Sequence, residues 1–303
     1  MMYRIAHSTT YQYTDNAEAC HNLVHLQPRD LPTQKCRQTQ LRIDPAPDRM
    51  HEYVDYFGNH VHSFAVYEPH QKLSITAESY VTLMPREMIP AGKTLPWHSV
   101  REALRTDRRA EIVAAIEYRF NSPYIRASEL LSEFAAPFFA TNRPIGEAVL
   151  DLAQFIHREF KYDPKATTID TSLHDVLEKR RGVCQDFAHL LIGCLRSLGL
   201  ACRYVSGYLR TDPQPGRARL MGADASHAWV SVFCPASGWM DFDPTNGCRT
   251  SDRHITIGWG RDFHDLSPVK GVVLGGGTST LQVAVDVLPA DTIEPLSIKM
   301  LAS

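Results

Sequence analysis

Residues 181–199 read RGVCQDFAHLLIGCLRSLG, and this stretch decides the architecture of the second half of the chain. Its large apolar residues recur at intervals of three and four, which is the spacing of one face of an α-helix. Those residues are Phe187, Leu190, Leu191, Cys194, Leu195 and Leu198. Gly199 is a typical residue to end such a helix. The pattern therefore predicts a core helix with Cys184 at its N-terminus.

Three strands are predicted after this helix, from short runs rich in β-branched, aromatic and alternating apolar residues. They cover Cys202–Leu209, His227–Phe233 and Trp239–Phe242, with a polar loop at 211–226. A tight turn near Ser237-Gly238 makes the last two strands antiparallel neighbours. The sequence thus predicts an α+β core in which a cysteine-bearing helix packs on an antiparallel sheet.

The region before the core divides into a β-rich part and a helical part. Alternating runs such as Ser63-Phe64-Ala65-Val66-Tyr67, separated by turn signals, predict an N-terminal antiparallel β domain over residues 1–85. A proline-rich linker and helix-compatible spacing at Val100–Tyr118 and Ala127–Ala140 predict a helical connector over residues 86–140.

The core itself is predicted to span residues 141–260, beginning with an amphipathic helix at about Pro144–Phe160. We expect residues 261–303 to form a C-terminal β extension. Within it, Gly275-Gly276-Gly277 interrupts an alternating pattern, which we interpret as the turn of a final β-hairpin.

Composition excludes several functional classes. The 303 residues are 44% hydrophobic and carry a net charge of −2, so we expect a globular protein without the basic surface that binds nucleic acid or anionic lipid. The first twenty residues contain no 7-residue apolar stretch and no apolar run is long enough to span a bilayer, so we expect a cytoplasmic location. The seven cysteines have no regular spacing and no CxxC pair, so we expect reduced thiols and no structural zinc.

One set of residues has the chemistry of a thiol nucleophile. Such catalysis needs a thiolate, a histidine that moves its proton, and a third group that orients the imidazole. A helix N-terminus stabilises a thiolate, and Cys184 alone among the cysteines is predicted to occupy one. His227 opens a strand and Asp243 closes the next, so antiparallel pairing can bring them together. Asp241, two residues earlier, is the competing carboxylate.

Metal binding has weaker support. His60 and His62, and likewise His21 and His25, have ligand-like spacing, but no acidic or cysteine partner pattern accompanies them. Gly275-Gly276-Gly277 lacks the Lys-Ser/Thr of a phosphate loop. We therefore predict neither a metal nor a cofactor.

Four motifs follow one another in the second half of the chain: RGVCQDFAH at 181–189, YVSGY at 204–208, DASHAW at 224–229 and GWMDFDPTN at 238–246. Together they resemble the bacterial branch of the transglutaminase-like superfamily, which implies a papain-like or transglutaminase-like core. The resemblance implies that Cys184 is the nucleophile, that His227 is the general base and acid, and that Asp243 is the orienting carboxylate. Asp224, Gln185, Asp186, Trp229 and Tyr208 are either pocket-shaping or structural residues.

The N-terminal part resembles the β-rich domain that precedes this core in bacterial members. The resemblance rests on HSTTYQY at 7–13, LQPR at 26–29 and DYFGN at 55–59. The expected activity is acyl transfer or hydrolysis on protein or peptide amides through a thioester, with an amine or water as acceptor.

Two other enzyme activities and one non-enzymatic role are alternatives. Peptide N-glycanases and arylamine N-acetyltransferases use a similar triad, but Gln185 and the single glycine before Cys184 differ from their patterns. A non-catalytic binding module of the same fold is the alternative from another class, and the intact triad argues against it.

Overall fold

A computed structural model describes residues 1–85, 87–211 and 225–293. These residues form two large antiparallel sheets, with helices packed mainly on the second, and one two-stranded parallel sheet of Lys161–Tyr162 with Arg181–Gly182. The strands of this described part are β1 (Met2–Val24), β2 (Gln34–Asp44), β3 (Arg49–Val54), β4 (His60–Val66), β5 (His70–Leu83), β6 (Lys161–Tyr162), β7 (Arg181–Gly182), β8 (Cys202–Leu209), β9 (Ala225–Cys234), β10 (Gly238–Asp243), β11 (Cys248–Arg249), β12 (His254–Gly260), β13 (Val269–Gly275) and β14 (Ser279–Pro289). Its α-helices are α1 (Trp97–Thr106), α2 (Ala110–Ile116), α3 (Glu129–Ala135), α4 (Ile145–Glu159), α5 (Leu173–Lys179) and α6 (Cys184–Ser197).

The first sheet confirms the predicted N-terminal β-rich region and has the order β2-β5-β1-β4-β3. Strand β1 is 23 residues long, and alternate residues in its first half are buried, as expected of a strand with one face on a core. Its first half pairs with β5 and its second half with β4.

The C-terminal strands complete this first sheet, and the predicted hairpin is wrong. Strands β13 and β14 both run antiparallel to β1, with Val24↔Val269 at one end and Tyr3↔Pro289 at the other. The three glycines, all with positive φ, form an irregular step between them, opposite a register break in β1. A hairpin would have needed β13 and β14 to pair with each other. The glycines instead connect two strands that follow one another along β1.

The second sheet has the order β11-β10-β9-β8-β12 and carries α6 on one face. Strand β8 has the predicted bounds, and β9 and β10 extend one or two residues beyond theirs. Eleven of the 14 residues of α6 are buried, among them the predicted apolar stripe except Leu198, which follows the helix as its C-cap. The α+β fold class, with a cysteine-bearing helix on an antiparallel sheet, is confirmed.

The connector is more broken than its spacing indicated. The stretch predicted as helical at 100–118 contains the end of α1, then α2 and a short 3-10 turn. Asp107 interrupts it, because its carboxylate accepts hydrogen bonds from the backbone and side chain of Arg109 at 2.9 Å. In the described part of the chain, no helix has the length and apolar character needed to cross a bilayer.

Strand β12 was not predicted, and it joins the two sheets. It pairs with β8, and its backbone is bound by two amide side chains of the first sheet region. Gln34 donates to the carbonyl of Thr256 at 2.7 Å and accepts from its N–H at 2.8 Å. Asn59 binds the backbone of Trp259 in the same two-way manner, at 2.9 and 3.0 Å. These contacts pair backbone N–H and C=O groups on the free edge of β12 and fix the second sheet against the first.

Candidate active site

Helix α6 presents Cys184 at its first position, and Asp186 holds that end of the helix. The Asp186 carboxylate accepts hydrogen bonds from the Val183 N–H at 2.8 Å and from the Thr167 hydroxyl at 2.7 Å. A Cβ at Gly182 would lie 2.6 Å from the same carboxylate, so only glycine fits there. Asp186 therefore caps the helix, which is the structural one of its two predicted roles.

Antiparallel pairing of β9 with β10 brings His227 and Asp243 together as predicted. The Nε2 atom of His227 lies 2.7 Å from Oδ2 of Asp243. Asp243 is completely buried and His227 is 8% exposed. The imidazole is thus held by a carboxylate shielded from solvent.

The competing carboxylate occupies another place. Asp241 pairs with Ser231 across β9 and β10 and lines a separate cavity of about 420 Å³. Asp243 is therefore the carboxylate that contacts His227.

Four further hydrogen bonds surround Asp243. Oδ1 accepts from the backbone N–H groups of Thr245 at 2.9 Å and Asn246 at 3.1 Å, and Oδ2 accepts from the Asn246 amide at 2.6 Å. Nε2 of His254 also lies 3.1 Å from Oδ2. Burial alone would raise the pKa of Asp243, but the bonds from His227, His254 and Asn246 hold it well below its usual range. Asp243 is therefore ionised.

The pKa of His227 is shifted in the opposite direction. Burial would lower its pKa, but hydrogen bonds to Asp243 and to the Cys184 thiol raise it to about 10. The imidazolium form is therefore favoured near neutral pH. Because Asp243 occupies Nε2, Nδ1 is the ring nitrogen left to exchange a proton with the thiol.

Cys184 and His227 open into a cleft of about 610 Å³, and the first sheet forms its opposite wall. Gln185 and Tyr204 lie on the core side. The residues of the opposite wall come from β1, from β13 and β14 and from the turn before β13, and they are His7, Thr9, Tyr11, Ser267, Pro268, Val269, Leu281, Val283 and Val285. The first sheet, including its C-terminal strands, therefore helps to shape the space in front of the cysteine.

The other residues singled out in the sequence have varied positions. Trp229 is buried beneath the site, with its ring 6.2 Å from that of His227. Tyr208 is buried between the two sheets, where its hydroxyl lies 2.9 Å from Nδ1 of His7. Asp224 lies outside the described residues. Sequence reasoning missed His254, because its approach to Asp243 depends on the unpredicted strand β12.

In two groups of described residues, possible ligand atoms lie close enough together to hold a metal ion. Ligand atoms of His227, Asp243 and His254 lie within 4.8 Å of one another, but the hydrogen bonds above account for their approach. The other group is one turn of α5 with exposed His174 and Glu178 around Asp175. All seven cysteines are free, and Cys20, Cys194, Cys202 and Cys234 are buried.

Comparison with known proteins places this architecture. Residues 132–244 match the transglutaminase-like superfamily, and residues 3–82 match the bacterial transglutaminase-like N-terminal region. An uncharacterized protein of Mycobacterium tuberculosis is 40% identical over 295 residues, which is 95% of this chain and 92% of that one. The chain belongs to the transglutaminase-like superfamily. The matched core region contains Cys184, His227 and Asp243.

Two further similarities bear on this transglutaminase-like protein. A protein-glutamine gamma-glutamyltransferase of Pseudomonas aeruginosa is 34% identical over 97 residues, which is 31% of this chain and 14% of that enzyme. A solved structure from Cytophaga hutchinsonii, described as a candidate cysteine protease, superposes with a TM-score of 0.72 over 97% of this chain and 92% of that one. At 21% identity that likeness shows the fold alone. The cytoplasmic location stays a prediction.

Proposed function

We propose that this transglutaminase-like protein is a cysteine-nucleophile enzyme that transfers or hydrolyses the acyl group of protein or peptide amides through a thioester. The observation that carries the proposal is that Cys184 and His227 line one cleft while the buried Asp243 binds His227 from behind. The thiol lies at a helix N-terminus, the imidazole contacts it, and the carboxylate orients the imidazole.

The first half-reaction forms the thioester. The Cys184 proton resides on His227, and the thiolate sulfur attacks the amide carbonyl carbon, forming a C–S bond. N–H groups in the first turn of α6 have no intrahelical acceptor and are placed to stabilise the oxyanion, a contribution of about 3 kcal/mol per donor. When the C–N bond breaks, the imidazolium gives its proton to the leaving nitrogen.

The second half-reaction releases the acyl group. An amine or a water molecule attacks the thioester carbonyl, and His227 takes the proton from this nucleophile. The C–S bond breaks and the Cys184 thiolate is restored. Amine attack gives transamidation and water attack gives hydrolysis, so the acceptor that reaches the cleft decides the product.

The test begins with the thiol. The native protein is treated with limiting iodoacetamide from pH 5 to 8, and the alkylated cysteines are mapped by peptide mass. We expect Cys184 to be alkylated first below pH 7, ahead of the other six. His227→Ala is the matched variant and should abolish this selectivity, because it removes the proton acceptor.

Product assays follow on the same preparation. Incorporation of a fluorescent primary amine into a glutamine-containing protein measures transfer, and release of ammonia or of new amino termini measures hydrolysis. If Cys184 reacts no faster than the other cysteines and neither product forms, the enzymatic proposal fails and a binding module of the same fold replaces it.

A further inference from the structure

A second histidine contacts the carboxylate of the triad. His254 opens β12, and its Nε2 lies 3.1 Å from Oδ2 of Asp243, the same oxygen that lies 2.7 Å from Nε2 of His227. The rings of the two histidines are 6.1 Å apart, and the His254 side chain is 5% exposed. Two imidazoles on different strands thus share one buried carboxylate oxygen.

The backbone of the preceding turn determines the tautomer of His254. The N–H of Ser251 points at Nδ1 of His254 from 3.1 Å. A backbone N–H can only donate, so Nδ1 must offer its lone pair and the ring proton must be on Nε2. His254 is therefore a neutral donor to Asp243, and this contact is a hydrogen bond.

Several other groups face His254. Trp229 packs against its ring edge to face at 5.3 Å. Asp241, Asp252 and Met1 line, with His254, the separate cavity of about 420 Å³ behind the site, here called the rear cavity. The two carboxylates favour a charged ring, so the neutral form of His254 is set by the Ser251 N–H at Nδ1. The N-terminal ammonium is bound by the carbonyl of Leu83 at 2.8 Å.

We propose that His254 is a positioning residue that donates from Nε2 to Asp243 and so limits the negative charge that this carboxylate presents to His227. The inference rests on the proposed function, in which His227 must both hold and release a proton. Without the bond from His254, Oδ2 would accept only from His227 and from the Asn246 amide. The carboxylate would then bind the imidazolium more tightly, and proton delivery to the leaving nitrogen would slow.

Two substitutions separate this role from packing. In His254→Asn the amide can still accept from Ser251 but is too short to reach Asp243. In His254→Gln the longer side chain keeps a donor for Asp243. His70→Asn is the matched control, because His70 is 7% exposed and its Nδ1 lies 2.7 Å from the carbonyl of Glu68, away from the triad.

The experiment measures which ring nitrogen carries the proton in each histidine. Long-range ¹H–¹⁵N spectra of the full-length protein labelled at histidine, recorded across pH, report the tautomer of His254 and the titration midpoint of His227. We expect an Nε2–H tautomer for His254 in the wild type. His254→Asn should raise the His227 midpoint by about one pH unit, His254→Gln should restore most of it, and His70→Asn should leave it unchanged.

Two results would overturn the inference. One is a His254 that carries its proton on Nδ1 or is an imidazolium in the wild type, and the other is an unchanged or lowered His227 midpoint in His254→Asn. If His254→Asn does not fold, the wild-type tautomer still decides. Failure of the proposed function is recognised separately, because it would appear as an unselective Cys184 in the alkylation experiment while the histidine spectra stay interpretable.

Discussion

The Nε2 atom of His227 lies 2.7 Å from Oδ2 of Asp243, although the residues are 16 positions apart in sequence. Strands β9 and β10 create this contact by antiparallel pairing, and the complete burial of Asp243 keeps water from competing for it. The contact orients the ring so that Nδ1 remains for the Cys184 thiol.

Replacement of the thiol should separate activity from stability. Cys184→Ala should abolish turnover, because no other described cysteine lines the cleft. The free energy of unfolding should change by less than about 1 kcal/mol, since Cys184 is only partly buried at a helix start. Thermal unfolding and the amine-incorporation and hydrolysis assays measure the two effects. A variant with substantial turnover would end the assignment of Cys184.

The two carboxylates of β10 should differ sharply. Asp243→Asn should lower turnover by roughly 10³ to 10⁴, because an amide cannot hold the required tautomer of His227. Asp241→Asn is the matched control on the same strand and should lower it less than about tenfold, because Asp241 lines the rear cavity. Steady-state rates, with unfolding curves for both variants, test this. The opposite order of effects would show that Asp241 is the orienting residue.

Acid should destabilise the fold through its buried neutral histidines. Burial lowers the pKa of His189 and of His7 to about 4, against 6.5 in the unfolded chain. Between these values the unfolded chain binds more protons than the folded one, so stability falls as pH decreases from 6.5 to 4. The slope is about 1.4 kcal/mol per pH unit for each histidine.

Urea unfolding at pH 7, 6 and 5 measures this slope. His189 accepts a hydrogen bond from the N–H of Phe263 at 3.1 Å, and His189→Gln keeps an acceptor for it without a titrating group. The variant should therefore lose stability less steeply than the wild type over this range. Equal slopes would show that His189 binds protons equally in the folded and unfolded states.

A methyl group at Gly207 should distort the sheet beneath the site. A Cβ there would lie 2.1 Å from the carbonyl oxygen of Ile255 and 2.4 Å from the Trp229 ring, so β12 or the indole must move. Gly207→Ala should cost about 1–3 kcal/mol of unfolding free energy and lower activity, because β12 carries His254. Denaturant unfolding and rate assays measure both.

Ser231→Ala provides the control on the neighbouring strand. Ser231 is completely buried, and its hydroxyl has no hydrogen-bond partner in the described structure. Its removal should be neutral or slightly stabilising, since the desolvated hydroxyl is unpaired. Similar losses in both variants would mean that the sheet tolerates no substitution at all, and not that Gly207 is a specific contact.

The sequence by itself determined the second half of the chain well. The apolar stripe after Cys184 predicted α6, and alternating runs predicted β8, β9 and β10 within one or two residues. These patterns are local, because each element must bury one face and its period shows in consecutive residues. Because β9 and β10 follow one another in the sequence, their antiparallel pairing was enough to predict that His227 contacts Asp243.

Only the tertiary structure decided how the rest meets this core. Strand β12 pairs with β8, which lies about fifty residues earlier in the sequence. Strands β13 and β14 pair with β1, at the opposite end of the chain. Pairing between such distant segments depends on which edges and side chains remain unsatisfied after the local elements form, and no period in the sequence records it. For this reason the wall of the cleft formed by the first sheet and the bond from His254 to Asp243 became visible only in the folded chain.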